Sequence, residues 1–103
     1  MSKDTVALNI IEQLGGYGKL RAMVNARNLV YDFNWFKFQF SGFKYANLCR
    51  IILDDDDTYT VEFWQLGGKG CSLIKSVSGV YNTMLRGIFT DYTGLDLSLG
   101  ERR

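Results

Sequence analysis

Aromatic residues occupy both parities of one short segment, and this feature constrains the fold more than any other in the chain. Six of the ten residues from 31 to 40 are aromatic, and their alternation slips between Trp35 and Phe36. The first set is Tyr31, Phe33 and Trp35, and the second is Phe36, Phe38 and Phe40. Side chains of a strand alternate between two faces, so no regular strand points both sets the same way.

The slip has two structural interpretations. Either a bulge or a tight turn near Asn34 breaks the segment, or one strand carries aromatic residues on both faces. We favour a turn at residues 32–34, because Asp32 and Asn34 are turn-forming residues, followed by a strand over Trp35–Phe40.

Three more segments alternate as strands do, and turn residues separate them. They are Tyr45–Leu53, Thr58–Leu66 and Cys71–Val77, with turns at Ser41-Gly42, Asp54–Asp57 and Gly67–Gly70. In the middle segment, Tyr59, Val61 and Phe63 face one way, and Thr60, Glu62 and Trp64 face the other. Because the connections are short, we expect consecutive strands to pair as an antiparallel meander.

Apolar residues at helical spacing predict a helix towards each end of the chain. The first covers about residues 4–14, and the last covers Gly79–Tyr92 with Ser78 as its N-cap. Residues 19–27 predict a short second helix, with an edge strand as the alternative. The tail Leu95–Arg103 alternates leucines with polar residues and predicts a further short edge strand.

Together these elements predict an α+β fold. It has two layers, a four-stranded antiparallel sheet and the N-terminal and C-terminal helices packed on one face of that sheet. A chain of 103 residues suits one hydrophobic core, so we expect residues 1–103 to form a single domain. The other face of the sheet is left open to solvent or to a partner.

Composition argues against enzymatic chemistry. The chain has no histidine, which removes the commonest general base and the commonest neutral metal ligand. Cys49 and Cys71 therefore have no histidine partner for nucleophilic catalysis, and two cysteines are too few for a structural zinc site. We expect no enzymatic activity, no metal, no cofactor and no small-molecule substrate.

Three loops have the composition of ligand sites but are better interpreted as turns. The run Asp54–Asp57 offers carboxylates for a divalent cation, yet it lacks the spacing of a calcium loop. Gly67–Gly70 lacks the pattern of a phosphate-binding loop and is expected to be a hairpin turn. Gly15–Lys19 is interpreted as a helix C-cap and turn, with an anion-binding loop as the alternative.

Charge and hydropathy bear on the location of the chain. The net charge is +1, yet residues 1–50 hold seven basic and three acidic residues, and residues 51–103 hold five and eight. No apolar run approaches the length of a membrane span, and the first residues do not resemble a signal peptide. With two cysteines and no disulfide framework, we expect a cytoplasmic, reducing setting and no membrane partner.

Several segments carry a resemblance to a protein family. They are Ile11–Gly16, Met23, Ala26–Asn28, Asp57–Phe63, Gly79–Tyr81, Leu85-Arg86 and Thr93–Leu95. In these segments the chain is similar to a family of small uncharacterised proteins, with no established activity, that bacteriophages and related mobile elements of bacteria encode. The match spans most of the chain and is poorest over Leu29–Tyr45. The resemblance implies a phage-encoded protein in a bacterial host cytoplasm, and it implies no catalytic residue.

The stretch from Tyr17 to Arg50 combines aromatic with basic residues. It holds nine of the fifteen aromatic residues of the chain, six basic residues and one acid, Asp32. Aromatic residues set between basic ones on a sheet are typical of surfaces that stack and neutralise single-stranded nucleic acid. The alternative is that Phe36, Phe38 and Phe40 form the core and the lysines are a solvated face.

Two functions are therefore predicted. The first is a small non-enzymatic accessory protein that binds single-stranded nucleic acid. Its stacking residues would be Tyr31, Phe33, Trp35 and Trp64, and its phosphate contacts Arg21, Arg27, Lys37 and Lys44. The alternative is a protein–protein interaction module, either a homo-oligomer or an inhibitor of a host protein, that buries the same aromatic face. Basic side chains around Trp35 and Trp64 favour nucleic acid, and acidic ones favour protein.

Overall fold

The first helix follows the predicted apolar stripe. The structure, a computed structural model, describes residues 5–95 and Leu97. Helix α1, Thr5–Gln13, buries Ala7 and Ile10, and the fully buried Leu14 follows directly. Its hydrophobic spacing is what an amphipathic helix on a core requires.

A pair of glycines ends this helix. The amide of Gly15 donates to the carbonyl of Glu12 (3.0 Å), and that of Gly16 to the carbonyl of Ile11 (2.9 Å). Both glycines have positive φ, 113° and 98°, a region that glycine adopts at little cost. The prediction of a C-cap is confirmed, and these two amides are already bonded to backbone carbonyls.

The second helix is shorter than predicted and shifted towards the N-terminus. Helix α2 is Tyr17–Val24, and Asn25, in the left-handed conformation at φ 56°, ends it. Arg27, which the sequence suggested as part of this helix, is instead the first residue of a strand. A left-handed asparagine is an efficient helix stop, and helical periodicity alone does not detect it.

The sheet has five strands, so the prediction of four is wrong. The strands are β1 (Arg27–Tyr31), β2 (Trp35–Gln39), β3 (Leu48–Leu53), β4 (Tyr59–Gly67) and β5 (Gly70–Val80). They pair in the order β1-β2-β3-β4-β5, every pair antiparallel, and this confirms the meander. The additional strand is β1, whose pairing with β2 is irregular between Arg27 and Val30, where Asn28 also has a positive φ of 55°. A bulge interrupts the alternation of side chains, so a five-residue strand that contains one is not recognised from its sequence pattern.

The predicted turn at residues 32–34 is present and explains the aromatic slip. The amide of Asp32 donates to the carbonyl of Trp35 (3.0 Å), closing the hairpin between β1 and β2. The favoured interpretation, a turn followed by a strand from Trp35, is confirmed. Within that strand Phe36 and Phe38 are buried while Trp35 and Lys37 are half-buried on the opposite face.

The C-terminal helix begins later than predicted. Strand β5 runs on to Val80 through Gly79, which has a φ of 68°, so Ser78 lies in a strand and caps no helix. A single turn of 3-10 helix, Asn82–Met84, leads into helix α3, Leu85–Thr93. Val80 belongs to the sheet because it pairs with Tyr59, and helical spacing had grouped it with the wrong element.

The core lies between the helices and one face of the sheet. It joins buried residues of all three helices to alternate residues of β2, β3 and β4. Five phenylalanine side chains fill its centre: Phe36, Phe38, Phe40, Phe63 and Phe89. Their ring centroids lie 5.1 to 6.0 Å apart in the contacting pairs, as expected of close-packed aromatic clusters. The interpretation of Phe36, Phe38 and Phe40 as core residues is confirmed.

The predicted tail strand Leu95–Arg103 lies largely outside the described residues. Leu95 and Leu97 are described; neither is in a strand, and Leu97 is fully buried in the core. Among the helices of residues 5–95, none has the length and apolar character needed to cross a membrane.

Candidate functional site

The face of the sheet opposite the helices carries three rows of side chains from β2, β3 and β4. Cross-strand partners define them as Trp35–Ile52–Thr60, Lys37–Arg50–Glu62 and Gln39–Leu48–Trp64. Val30 of β1 and Leu73 of β5 flank these rows, opposite Lys37 and Trp64 respectively. We call this surface the open face, because all three helices pack on the other side of the sheet.

Trp35 lies beside two cations. The Nζ atom of Lys37 is 5.6 Å from the centroid of its ring, and the Cζ atom of Arg50 is 5.2 Å from it. Lys37 follows Trp35 by two positions on β2, and Arg50 is the cross-strand partner of Lys37 on β3. The register of two adjacent strands therefore places one tryptophan and two positive charges together, within cation–π distance.

Glu62 links Arg50 to the second tryptophan. Its Oε1 atom lies 3.7 Å from Nη1 of Arg50 and accepts a hydrogen bond of 3.1 Å from Nε1 of Trp64. The ion pair is partly shielded, with 38% of the Arg50 side chain and 19% of the Glu62 side chain exposed. These contacts fix the Trp64 ring on the same face as Trp35.

Asn47 anchors the strand that carries Trp64. Its backbone N–H donates to the carbonyl of Trp64 (2.9 Å). Its side chain makes hydrogen bonds to both the backbone N–H and the backbone carbonyl of Leu66. In that pair, Oδ1 accepts from the Leu66 amide at 2.8 Å, and Nδ2 donates to the Leu66 carbonyl at 3.1 Å. Beside it, Leu48 is only 7% exposed although it faces away from the core. Hydrogen bonds of Asn47 and the packed side chain of Leu48 therefore hold the part of the open face around Trp64 in place.

Three of the eight predicted site residues lie together. Trp35, Lys37 and Trp64 all belong to the open face. Arg27 is the cross-strand partner of Gln39, at the edge of this face. Its guanidinium group, however, donates from Nη1 to the carbonyl of Asn25 and to Oγ of Ser41, both at 3.0 Å.

The other four predicted residues lie elsewhere. Tyr31 pairs with Phe36, so its register position is on the helix side of the sheet. Phe33 is in the turn between β1 and β2, with 66% of its surface exposed. Lys44 is in the loop after β2, with Nζ 5.2 Å from the ring of Tyr45. Arg21 is on α2, 5.7 Å above the ring of Tyr17. The fold does not place these four residues on the open face with Trp35 and Trp64.

Two residues of the open face were absent from the sequence-based set. Arg50 and Glu62 lie at the centre of the middle row and contact each other. Glu62 shares its parity with Trp64 in the sequence, and Arg50 shares its parity with Leu48 and Ile52. Parity places each residue on a face of its own strand, but only the cross-strand register shows that the two meet.

The aspartate run forms the expected turn. Asp56 accepts hydrogen bonds from the amide and hydroxyl of Thr58 (3.1 and 2.6 Å), which lower the pKa of its carboxyl group. Asp54 accepts from the hydroxyl of Thr60 (2.6 Å). Over the described part of the chain, no group of three potential metal-ligating side chains comes together.

The two cysteines differ in their exposure to solvent. Cys49 is fully buried on β3, where burial, and to a lesser degree the charge of Glu62, raises the pKa of its thiol far above the ordinary value. Cys71 is exposed on β5 near the hairpin turn. Neither is in a disulfide.

One cleft lies on the helix side. It measures about 400 Å³, and its lining consists of Glu12, Gln13, Gly15, Gly16, Thr83 and Arg86. It joins the end of α1 to the start of α3, and its lining contains no aromatic side chain. The open face is therefore the stronger candidate site.

The chain has an α+β fold, and the open face of its antiparallel sheet presents Trp35 beside the cations of Lys37 and Arg50 and Trp64 beside the carboxylate of Glu62. Comparisons of the chain with family models, with curated proteins and with solved structures find no match. The resemblance to phage-encoded proteins therefore stays a prediction, and a functional proposal rests on the geometry of the open face.

Proposed function

We propose that this chain is a non-enzymatic binding protein that takes single-stranded nucleic acid on its open face. The observation that carries the proposal is Trp35 with the cations of Lys37 and Arg50 at 5.6 and 5.2 Å from its ring. An aromatic surface for a base, next to positive charge for a phosphate, is the pairing that single-strand binding requires.

The ligand would be an oligonucleotide. Trp35 and Trp64 are two strands and four residues apart in the sheet register, which corresponds to roughly 17 Å between their Cα atoms. One base stacked on Trp35 does not reach Trp64, so the two rings would hold bases at different positions of one strand. Lys37 and Arg50 lie between them and would neutralise the connecting phosphates.

Binding can be measured by the fluorescence anisotropy of a labelled single-stranded oligonucleotide of about eight nucleotides. We expect saturable binding at low salt. Trp35→Ala should weaken it about fivefold or more, since stacking of one base contributes roughly 1–3 kcal/mol. No binding by the native protein at low salt would refute the proposal.

Matched controls separate the open face from general surface effects. Tyr81→Ala removes an aromatic side chain that is 62% exposed outside the open face, and Lys75→Gln removes a cation whose register position, opposite Phe63, is on the helix side. Both should leave the affinity within about twofold, whereas Lys37→Gln should reduce it. Equal losses for Lys37→Gln and Lys75→Gln would indicate non-specific attraction.

A second candidate is self-association through β5. This strand, Gly70–Val80, is the longest of the sheet and lies at its edge, with Leu73 and Ile74 exposed by 48% and 44%. Lys75 is its one charged residue, and full-length antiparallel pairing about a two-fold axis would set Lys75 opposite its own copy, which opposes that register. Two irregularities in the pairing of β5 with β4 twist this edge, which limits strand addition and ranks dimerisation second.

The mass in solution tests this second candidate. Sedimentation equilibrium should give twice the 11.8 kDa chain mass for a β5-paired dimer, and the double substitution Leu73→Lys with Ile74→Lys should return the monomer. A monomeric mass at all concentrations would exclude self-pairing. It would leave an inhibitor of a host protein as the remaining form of the protein-binding alternative.

The resemblance to phage-encoded proteins supplies a setting for the proposal. In that setting the chain would act in the cytoplasm of a bacterium during infection. Antibodies against the chain should then detect it in the cytoplasmic fraction of infected cells. Recovery from the culture medium of intact cells would contradict this location.

A further inference from the structure

Glu62 is an acidic group at the centre of a basic and aromatic surface. It lies in the middle row with Lys37 and Arg50, and Trp64 is two positions further along β4. A carboxylate repels phosphate, so Glu62 has no part in neutralising a nucleic-acid backbone. Because it lies next to Trp64, we expect Glu62 to interact with a base of the ligand and not with its phosphates.

The two oxygens of Glu62 differ in their partners. Oε1 alone accepts the hydrogen bond from Trp64 Nε1 at 3.1 Å and lies 3.7 Å from Arg50 Nη1. Within the described residues Oε2 makes no hydrogen bond, and it is not among the buried polar atoms that lack a partner. It is therefore an acceptor at the surface of the open face, on a side chain that two contacts already orient.

We propose that Glu62 selects the base stacked beside it, favouring cytosine over uracil. The inference rests on the proposed function, because it assumes a base on Trp64. The amino group of cytosine is a hydrogen-bond donor that a carboxylate accepts, whereas uracil presents a carbonyl oxygen at the same position. A base lying on the Trp64 ring brings its edge to the carboxylate that the indole N–H holds in place. Cytosine gains a hydrogen bond and uracil meets a repulsion between two acceptors when the exocyclic group at C4 faces Oε2. The neighbouring N3–H of uracil is a donor, so the preference requires that C4, and not N3, faces the carboxylate.

The test compares oligomers of deoxycytidine and of deoxyuridine, each of about eight nucleotides, at neutral pH and low salt. The two ligands have equal charge and rings of the same size, so they differ chiefly at the base edge. Native protein should bind the cytosine oligomer about tenfold more tightly, at the lower end of the discrimination that one good base contact gives.

The variant Glu62→Gln isolates the contact. Its side-chain oxygen still accepts from Trp64 Nε1, while its amide presents a donor that suits the carbonyl of uracil. We expect the tenfold preference to disappear or to reverse, and the affinity for both oligomers to rise because a negative charge is lost. Glu12→Gln, on the exposed side of α1, should leave the preference unchanged.

The outcomes separate the inference from the proposed function. Equal binding of both oligomers by the native protein would overturn the role of Glu62 and leave the nucleic-acid proposal standing. Unchanged preference in a folded Glu62→Gln would also overturn it. If the variant does not fold, the preference of the native protein decides. Failure of both oligomers to bind would refute the proposed function and this inference together.

Discussion

At the scale of single residues, the two cysteines show how strongly position in the sheet controls chemistry. Cys49 lies between Phe38 and Phe63 in the cross-strand register and is fully buried. Burial disfavours the thiolate, and the nearby negative charge of Glu62 disfavours it further, so the pKa of Cys49 is raised and the thiol stays neutral. Cys71 is exposed on β5. Because the thiolate is the reactive form, the two residues should differ widely in reactivity.

This difference predicts the result of thiol titration. At a pH near the usual thiol pKa of about 8.5, a chromogenic disulfide reagent should react rapidly with only one thiol of the folded protein. Both thiols should react after unfolding in denaturant. The variant Cys71→Ser should show almost no reaction when folded, and Cys49→Ser should keep the rapid phase. Rapid reaction of two thiols in the folded native chain would contradict the burial of Cys49.

Residue identity and parity in the sequence predicted part of the open face. The opposite parity of Trp35 and the buried phenylalanines indicated that this tryptophan faces away from the core, and the structure confirms it. The alternation of β4 likewise placed Trp64 opposite Phe63. The contact of Arg50 with Glu62 was not predictable, because it depends on how β3 and β4 are aligned.

At the scale of elements, Asn47 completes the sheet where regular pairing ends. It precedes β3, and its side chain makes with Leu66 of β4 the two hydrogen bonds that a strand backbone would make. Its backbone N–H donates to the carbonyl of Trp64, and its backbone carbonyl accepts from the N–H of Phe40. One residue thus joins the ends of β2, β3 and β4 beneath the open face.

We expect Asn47→Ala to lower the free energy of unfolding by about 2 kcal/mol, because two side-chain hydrogen bonds are lost at about 1 kcal/mol each. Urea unfolding followed by tryptophan fluorescence measures the change. Asn34→Ala is the matched control, since the Asn34 side chain makes an exposed contact of 3.5 Å with the carbonyl of Leu53; its effect should stay under about 0.5 kcal/mol. Equal effects of both substitutions would contradict the bridging role of Asn47.

The elements that sequence reasoning missed share one physical property, which is a backbone conformation that side-chain patterns do not reveal. Asn25 and Asn28 in the left-handed region end α2 and bend β1, and Gly79 lets β5 run past the predicted start of the last helix. Elements with regular spacing were well predicted: β4 to within one residue at each end, and α1 to within one residue at its C-terminal end. Local periodicity identifies an element, and isolated positive φ values determine where it stops.

At the scale of the whole molecule, the fold brings the charge-segregated halves of the sequence together. The basic half ends on β3 at Arg50, and the acidic half supplies β4 with Glu62. Since β3 and β4 are neighbours, the two halves meet as an ion pair on the open face. The net charge of +1 gives little long-range attraction for nucleic acid, so binding should depend on a few local cations.

The salt dependence of binding measures how many cations take part. Each phosphate neutralised on a single strand contributes about −0.7 to the slope of log K against log salt concentration. If Lys37 and Arg50 are the contacts, the slope should be about −1.4, and Lys37→Gln should halve it while Lys75→Gln leaves it unchanged. Participation of Arg21, Arg27 and Lys44 as well would steepen the slope to about −3.5. A slope near zero would instead mean that stacking on Trp35 and Trp64 acts without phosphate contacts, because a ligand that releases no counterions has an affinity insensitive to salt.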